Sequence, residues 1–314
     1  MNNIYLSIII PVYNEAETVF NLHQEIVKVG QKLNRNYEII FVNDGSEDNT
    51  LANLKKLSPI KIINFRKNFG QTAALDAGIK TSKGKYIATL DGDGQNDPDD
   101  ILKLLEKLKQ ENLDAVSGWR KNRHDPLLKR AASCCMFIIR RLFINDGVHD
   151  SGCTLKVYRQ ECFNHVDLVG EMHRFIPALL KIKGFKIGEL EVKHHPRLSG
   201  KTKYNWKRGI KGNLDIISIW FWKKYANRPL HLFGGFGSFL IIVSIIAGGW
   251  AIYLKIFKGL DLSDTVLIDL AMFGFLIGIQ FFVFGLLADI LSKSYFASTK
   301  DEVYDIKEII ENKK

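Results

Sequence analysis

Tyr86-Ile-Ala-Thr-Leu-Asp-Gly-Asp-Gly-Gln95 is the stretch whose reading decides the fold of this chain. Its first five residues predict a buried strand, and two aspartates at i and i+2, with a glutamine two positions on, close it. In an extended or tightly turning backbone, side chains at i and i+2 point the same way. Asp91 and Asp93 are therefore spaced to grip one hard cation, and Gln95 to add a neutral oxygen. Mg²⁺ or Mn²⁺ held by one or two carboxylates usually completes its shell with substrate phosphates. An Asp-Gly turn at a strand end, favoured for backbone reasons alone, accounts for the same residues. What lies around the motif has to separate the two.

Outward from this stretch, strand and helix alternate through the first 117 residues. Leu6–Val12, Tyr37–Val42, Lys61–Phe65 and Ala115–Ser117 read as further strands. Asn14 is placed to cap a helix through Val19, Leu22, Ile26 and Val27, with Glu15 and Glu17 in its first turn. Leu51, Leu54 and Leu57 mark a second helix, and residues from about Gln71 to Lys80 a third. Asp97-Pro98-Asp99-Asp100 starts a fourth, with a cap, proline at the first helical position and early acids. Such alternation implies a parallel sheet wound with helices, whose ligands sit outside the carboxyl ends of the strands. Asp44, Asp91 and Asp93 fall at those ends, as do Tyr13, Asn14 and Glu15. The first turn reads Pro11-Val-Tyr-Asn-Glu15 rather than G-x-G-x-x-G, which argues against an NAD or FAD enzyme, and no Walker A sequence is present. A cation on Asp91 and Asp93, beside Asp44, describes a site for a nucleoside diphosphate. Asp44 would accept hydrogen bonds from base or ribose, and the cation would neutralise the departing diphosphate.

The chain has 314 residues, enough for a catalytic domain and more. Its mean hydropathy of −0.05 conceals a split. Up to about residue 226 the pattern is mixed and charged, whereas Leu232–Leu254 and Leu270–Ala288 contain no charged residue. Each run approaches the ~20 residues that a bilayer core requires. At roughly −0.3 to −0.6 kcal/mol per Leu, Ile, Phe or Val, each favours insertion by several kcal/mol. Two buried core helices would need a second large domain to cover them, and no sequence remains to build one. Neither run is a signal peptide, and residues Met1–Asn3 lead straight into a strand. Lys223, Lys224 and Arg228 before the first run, and Lys293 and Lys300 after the second, favour both long ends in the cytoplasm. The net charge of +10 then finds a target in anionic headgroups or a phosphorylated substrate. Nucleic acid is not the expected partner, since no basic stripe with interleaved aromatics appears in the first 110 residues. The four cysteines, Cys134, Cys135, Cys153 and Cys162, show no metal spacing and read as reduced packing residues.

Two further stretches are amphipathic. Ala131–Asn145 surrounds Arg140-Arg141 with apolar residues, and Arg208–Tyr225 carries Ile216, Ile217, Trp220 and Trp222 before Lys223-Lys224. Both suit helices lying in a membrane interface, or ordinary core packing. The expected organisation is a catalytic domain over 1–207, a juxtamembrane helix over 208–228, two spans within 229–291 (about 230–254 and 267–290) and a tail over 292–314.

Seven motifs in order now make a resemblance specific. Pro11-Val-Tyr-Asn-Glu15, Val42-Asn-Asp-Gly-Ser46, Arg66-Lys-Asn-Phe-Gly70 and Asp91-Gly-Asp-Gly-Gln95 resemble the successive motifs of family 2 glycosyltransferases with the GT-A fold. Asp150-Ser-Gly-Cys153, Glu171-Met-His-Arg-Phe175, Arg197-Leu-Ser-Gly-Lys-Thr-Lys-Tyr204 and the two apolar runs extend it to the polyprenyl-phosphate glycosyltransferases, relatives of dolichol-phosphate mannose synthase. The resemblance implies an α/β, mainly parallel catalytic domain. It implies inverting transfer of a sugar, taken as a hexose or N-acetylhexosamine on UDP, to the phosphate of a membrane polyprenol, for glycan or cell-envelope modification. It further implies a bacterial inner-membrane location with the catalytic domain and C-terminus cytoplasmic. Oligomeric state stays open, a homo-oligomer included.

Carried over position by position, Pro11, Tyr13, Glu15, Val42, Asp44, Asn68 and Gly70 would hold the nucleotide. Asp91, Gly92 and Asp93 would meet the diphosphate, and Asp91, Asp93 and Gln95 the metal. Arg120 and Arg130 match cations near the lipid phosphate, and Arg197 and Lys203 those of a loop closing over the site. Asp150 occupies the acceptor-side aspartate position, as a base or as a residue that orients substrate. A phosphate acceptor is already ionised near neutral pH and does not strictly need a base. Glu171, His173 and Arg174 are candidates for the sugar, while His149, His194 and His195 read as packing or surface residues. Gly92 and Gly94 stand where Ala and Leu are more usual, which is expected to loosen the turn. Cys153 stands where some relatives carry an acidic or aromatic residue. Arg is suited to bidentate phosphate contacts that offset the repulsion between two phosphorylated substrates, although any one such cation is equally a solvated surface charge.

Two other classes remain in view. A processive polysaccharide synthase would bring more spans and a Gln-x-x-Arg-Trp motif, both missing here. An inactive lipid-binding scaffold would show a damaged cation site, and Asp91, Asp93 and Gln95 are intact.

Overall fold

The structure is a computed structural model that describes residues 4–121, 147–164, 166, 168, 170, 172–195, 220–221, 224–225, 228–259, 261 and 265–299. The chain divides into two compact units, Met1–Ile217 and Ser218–Lys314. The first holds a seven-stranded sheet. Strand β1 (Leu6–Val12) is buried at every position, because helices cover both faces of the sheet. Around it lie β2 (Tyr37–Asn43), β3 (Lys61–Asn64) and β4 (Tyr86–Thr89), all parallel. Alternation along β1 sorts the core. Ile8 and Ile10 pack with Leu22 and Ile26 of α1 (Val19–Leu33) and Leu104 and Leu108 of α4 (Asp100–Gln110). Ile9 packs on the other face with Ala74, Leu75 and Ile79 of α3 (Gln71–Thr81), and α5 (Ile176–Ile182) adds Leu180 there. A short α2 (Thr50–Leu54) follows β2.

Beyond β4 the expected parallel series stops. The sheet order is β3-β2-β1-β4-β6-β5-β7, with β5 at Ala115–Trp119, β6 at Lys156–Arg159 and β7 at Ile187–Glu191. Strand β6 runs antiparallel to both β4 and β5, while β5 and β7 are parallel. This reversal brings the start of β6 to the edge where β4 ends, since Thr89 faces Lys156. The sequence pattern missed β6 and β7 because a four-residue strand and a half-exposed one carry little periodicity.

Two local expectations are corrected. Asn14 does not cap α1; it takes a left-handed conformation (φ 56°), and α1 begins only at Val19, so Glu15 and Glu17 precede its first turn. Asn14 instead ties two turns together: its N–H donates to Ser46 Oγ (2.9 Å), and its Oδ1 accepts from Glu47 N (2.9 Å). Asp97 does cap a turn, accepting from Asp99 N at 3.0 Å, but regular α-helix starts at Asp100, leaving Pro98 outside it.

The second unit contains two long apolar helices, α6 (Pro229–Lys258) and α7 (Leu267–Thr299). Both are long and apolar enough to cross a membrane, and most of their large apolar side chains are exposed. Phe257 is 71% exposed and Ile246 66%, the reverse of a soluble core helix. They form a candidate membrane hairpin whose contact is made by small residues. A Cβ at Gly237 would lie 2.6 Å from Gly278 O, and one at Gly274 would meet Ser244 Oγ. Small residues let helix backbones approach where lipid offers no hydrophobic drive. Helix α7 continues into the predicted tail as far as Thr299. The predicted interfacial stretch 131–145 lies outside the described residues, as does most of 208–228.

Candidate active site

At the carboxyl end of the parallel strands, three sequence motifs interlock. Pro11 and Val42 are register partners in β1 and β2, and both are buried. Proline is tolerated in this central strand for a reason that the ladder shows. Val12 O accepts from Asp44 N on one side, whereas Ile9 O accepts from Leu90 N on the other, so Pro11 turns its missing donor toward β4. That strand has ended at Thr89. Tyr13 and Glu15 follow, half-buried, and Glu15 N donates to Thr50 Oγ1 at 2.8 Å. Asp44 is 4% exposed and its carboxylate accepts from Phe69 N (2.7 Å) and Gly70 N (3.0 Å). It thereby pins the Arg66–Gly70 loop, with Asn68 exposed on it, against the end of β2. Gly45 is required there: it has φ 66°, and a Cβ would lie 2.3 Å from the backbone of Lys67.

The aspartate turn is fastened to the same edge. Thr18, just before α1, donates from Oγ1 to Gly92 O at 2.8 Å. Gly92 does not loosen the turn as expected. A Cβ there would lie 2.5 Å from Val12 Cγ1 and 3.1 Å from Pro11 O, so glycine lets the turn lie directly on β1. Asp91 Oδ1 accepts from Gln71 Nε2 at 2.5 Å, and Asp93 Oδ1 from Gln95 N at 3.2 Å. Gln95 Nε2 donates to His195 O at 3.4 Å. Burial and the neighbouring charge of Asp93 push the Asp91 carboxyl up to about 6, against a hydrogen bond from Thr154 and the positive charges of Arg120 and Lys156. Two neighbouring carboxylates of this kind suit a divalent cation, which would relieve the burial and charge penalties on Asp91. Among the described residues no cluster of three His, Cys, Asp or Glu side chains forms a fuller metal site.

The reversed strand supplies the rest. Arg120, one residue past β5, grips Asp150 bidentately: Nε to Oδ2 at 2.7 Å and Nη2 to Oδ1 at 3.0 Å. Burial opposes the guanidinium charge, but the Asp150 bond outweighs it and holds the Arg120 pKa above its ordinary value. Asp150 is itself placed by Glu189 of β7, whose carboxylate accepts from Asp150 N (3.0 Å) and His149 N (2.9 Å). The His149 ring stacks on Trp119 at 4.7 Å. Cys153 is fully buried in the core, and burial pushes its thiol up to about 11. Burial likewise lowers the Lys156 ammonium, which is 2% exposed.

A cavity of about 140 Å³ joins the two sides. Asp91 and Gln71 line it with Ser151, Gly152, Thr154 and Lys156, and His173 and Arg174 complete it. His173 is buried, with Nδ1 2.7 Å from Thr72 Oγ1. Gln71, Thr154, Lys156 and Glu189 were not singled out from sequence, where nothing in their spacing distinguishes them from ordinary strand and helix residues. Arg130, Glu171, Arg197 and Lys203 lie outside the described residues.

Comparison with known proteins fits this geometry. Residues 7–167 match the family model "Glycosyl transferase family 2". A dodecaprenyl-phosphate galacturonate synthase of Rhizobium johnstonii is 34% identical, over 99% of this chain and 95% of its own length. An undecaprenyl-phosphate 4-deoxy-4-formamido-L-arabinose transferase of Proteus mirabilis is 30% identical, over 98% and 95%. Among solved structures, glucosyl-3-phosphoglycerate synthase of Mycobacterium tuberculosis, crystallised with Mn²⁺ and UDP, superposes with a TM-score of 0.55 at 13% identity, covering 70% of this chain and 79% of its own. Mannosyl-3-phosphoglycerate synthase of Rubrobacter xylanophilus does so at 0.54 and 15%, covering 69% and 73%. The sheet is that of the GT-A fold, and the chain belongs to glycosyl transferase family 2: it is a glycosyltransferase.

Proposed function

We propose that this chain transfers a sugar from a nucleotide donor to the phosphate of a membrane polyprenol, with inversion at the anomeric carbon. The observation that carries it is the cavity beside Asp91. An acidic turn suited to a cation and the buried cation Lys156 share its walls, at the edge where Asp44 and Asp150 also lie. Two relatives matched over nearly the whole chain are named for sugar transfer to polyprenyl phosphates, which supports the acceptor. The two apolar helices support a bilayer as the place where it is met.

Asp91, Asp93 and Gln95 would hold the divalent cation, Mg²⁺ or Mn²⁺, which when bound neutralises the departing nucleoside diphosphate. Pro11, Tyr13, Glu15, Val42, Asp44, Asn68 and Gly70 form the nucleotide side. An oxygen of the acceptor phosphate forms the new bond to the anomeric carbon as the bond to the diphosphate breaks. That oxygen is ionised near neutral pH, so no side chain has to remove a proton. Asp150, already paired with Arg120, therefore acts by orienting this guanidinium toward the acceptor phosphate rather than as a base. Arg130, Arg197 and Lys203 add positive charge against the repulsion between the two phosphorylated substrates. The donor is a uridine-linked sugar. A hexose or N-acetylhexosamine is the simplest choice, and the relatives' names extend the range to a uronic acid and a formamido sugar. The basic residues flanking the apolar helices support a cytoplasmic catalytic unit and C-terminus at a bacterial inner membrane.

The test incubates purified full-length protein, Mn²⁺ and a polyprenyl phosphate with a panel of UDP- and GDP-sugars and reads lipid products by mass. A single new polyprenyl-phosphate sugar is expected. No product from any donor removes the proposal. A C-terminal tag resistant to protease added outside intact cells, and cleaved in inverted vesicles, checks the orientation.

A further inference from the structure

Lys156 is the first residue of β6, and it lies within the sheet opposite Thr89 of β4 and Ser117 of β5. A position with such neighbours, 2% exposed, is ordinarily filled by an apolar side chain. Here it carries an ammonium with three hydrogen-bond donors. Among the described residues its Nζ makes one hydrogen bond, to Ser151 O at 3.3 Å, and no ion pair. A buried charge is costly unless an anion meets it. The remaining donors border the cavity that Lys156 shares with Asp91. Once a cation engages Asp91 and Asp93, their negative charge is committed to it, and the cavity keeps Lys156 and Arg174 with no protein carboxylate left over among its lining residues.

The geometry points to Lys156 as a phosphate-binding residue of the transfer site, its ammonium taking a non-bridging oxygen of a substrate phosphate inside this cavity. A compact, strongly hydrated point charge suits a phosphoryl oxygen. The assignment rests on reading the cavity as the place of transfer, and adds to that reading a cation that no sequence motif marks. The phosphate comes from the donor's diphosphate or from the lipid acceptor, and these two sources are separable by binding.

Purified full-length wild type, Lys156→Met and Lys156→Arg are titrated in detergent with inorganic pyrophosphate plus Mn²⁺, and separately with a short-chain polyprenyl phosphate. Lys156→Met removes a buried charge and with it the attraction to the Asp91 and Asp150 carboxylates. Its folding is therefore checked by its melting transition without ligand, and Lys156→Arg, which keeps the charge, is the matched control. The Met variant should lose at least tenfold in affinity for one of the two phosphates, and with it the ligand-induced rise in melting temperature, while Lys156→Arg stays within about threefold. Loss toward pyrophosphate identifies the donor as the source, and loss toward the lipid phosphate the acceptor. A Met variant that binds both like wild type overturns the assignment, as does a wild type that binds neither. Binding is read without turnover. A protein that binds phosphate through Lys156 yet transfers no sugar would therefore remove the proposed reaction and leave this assignment standing.

Discussion

The two halves of the sheet handle charge differently. At the centre of the parallel half, β1 and β4 contain no charged residue, and the acids of the site, Asp44, Asp91 and Asp93, all stand just past strand ends. In the other half, Lys156 lies within the reversed strand β6 at 2% exposure. The difference follows from direction. A parallel strand reaches the site with its last residue, so its polar groups can sit in the following turn and leave the strand apolar. Strand β6 reaches the same edge with its first residue, so its charge enters the ladder and is buried. Function at that edge thus places a buried cation inside the ladder of β6, whereas the parallel strands keep their ladders apolar and carry their buried acids in the turns that follow.

Breaking the rim of the parallel half should have the largest effect. Asp91→Asn is expected to lower the transfer rate by at least ~10³-fold, the order of several kcal/mol that a bound cation contributes. Product formation at saturating Mn²⁺ checks this, and wild-type rates would refute the cation assignment. Next, Asp150→Asn strands the Arg120 guanidinium, whose side chain is only 14% exposed. It should cost about 3–5 kcal/mol of stability, read as a lowered unfolding midpoint, and the double variant Arg120→Met/Asp150→Leu should recover most of it.

The pH dependence sharpens the comparison further. With the Asp91 carboxyl pushed up to about 6 from 3.8, the folded protein binds more protons than the unfolded chain between those values. Its ligand-free stability should therefore fall as pH rises through that window. Asp91→Asn should gain on wild type from pH 4 to pH 6 and no further, as thermal melts at stepped pH would report. Mn²⁺ affinity runs the opposite way, dropping about tenfold per pH unit below about 6, because the proton competes with the metal. An affinity flat from pH 7 to pH 5 would sink this. The smallest effect is Thr18→Val, which leaves Gly92 O without its 2.8 Å partner. It should cost about 1 kcal/mol and slow transfer only a few-fold.

Legibility in sequence tracked the same division. Strands β1 to β4 carry strong apolar runs, so their bounds came within a residue of the observed ones, and Asp44, Asp91 and Asp93 were found because turn chemistry sits next to strand ends in the chain. Helix starts fared worse: Asn14 is a common cap residue, yet its left-handed backbone serves a contact 32 residues away. Gly92 looked permissive, and is tightly packed against β1. Glu189 holds Asp150 across 39 residues, a pairing without any local signal.

By itself, then, the sequence determined the alternating sheet, the acidic turn, the apolar helices and the family, because each rests on local periodicity or on residues a few positions apart. Only the tertiary structure decided that β6 runs backwards. That reversal carries Lys156, Thr154 and Asp150 to the edge where Asp91 lies, since antiparallel pairing sets the beginning of one strand against the end of its neighbour.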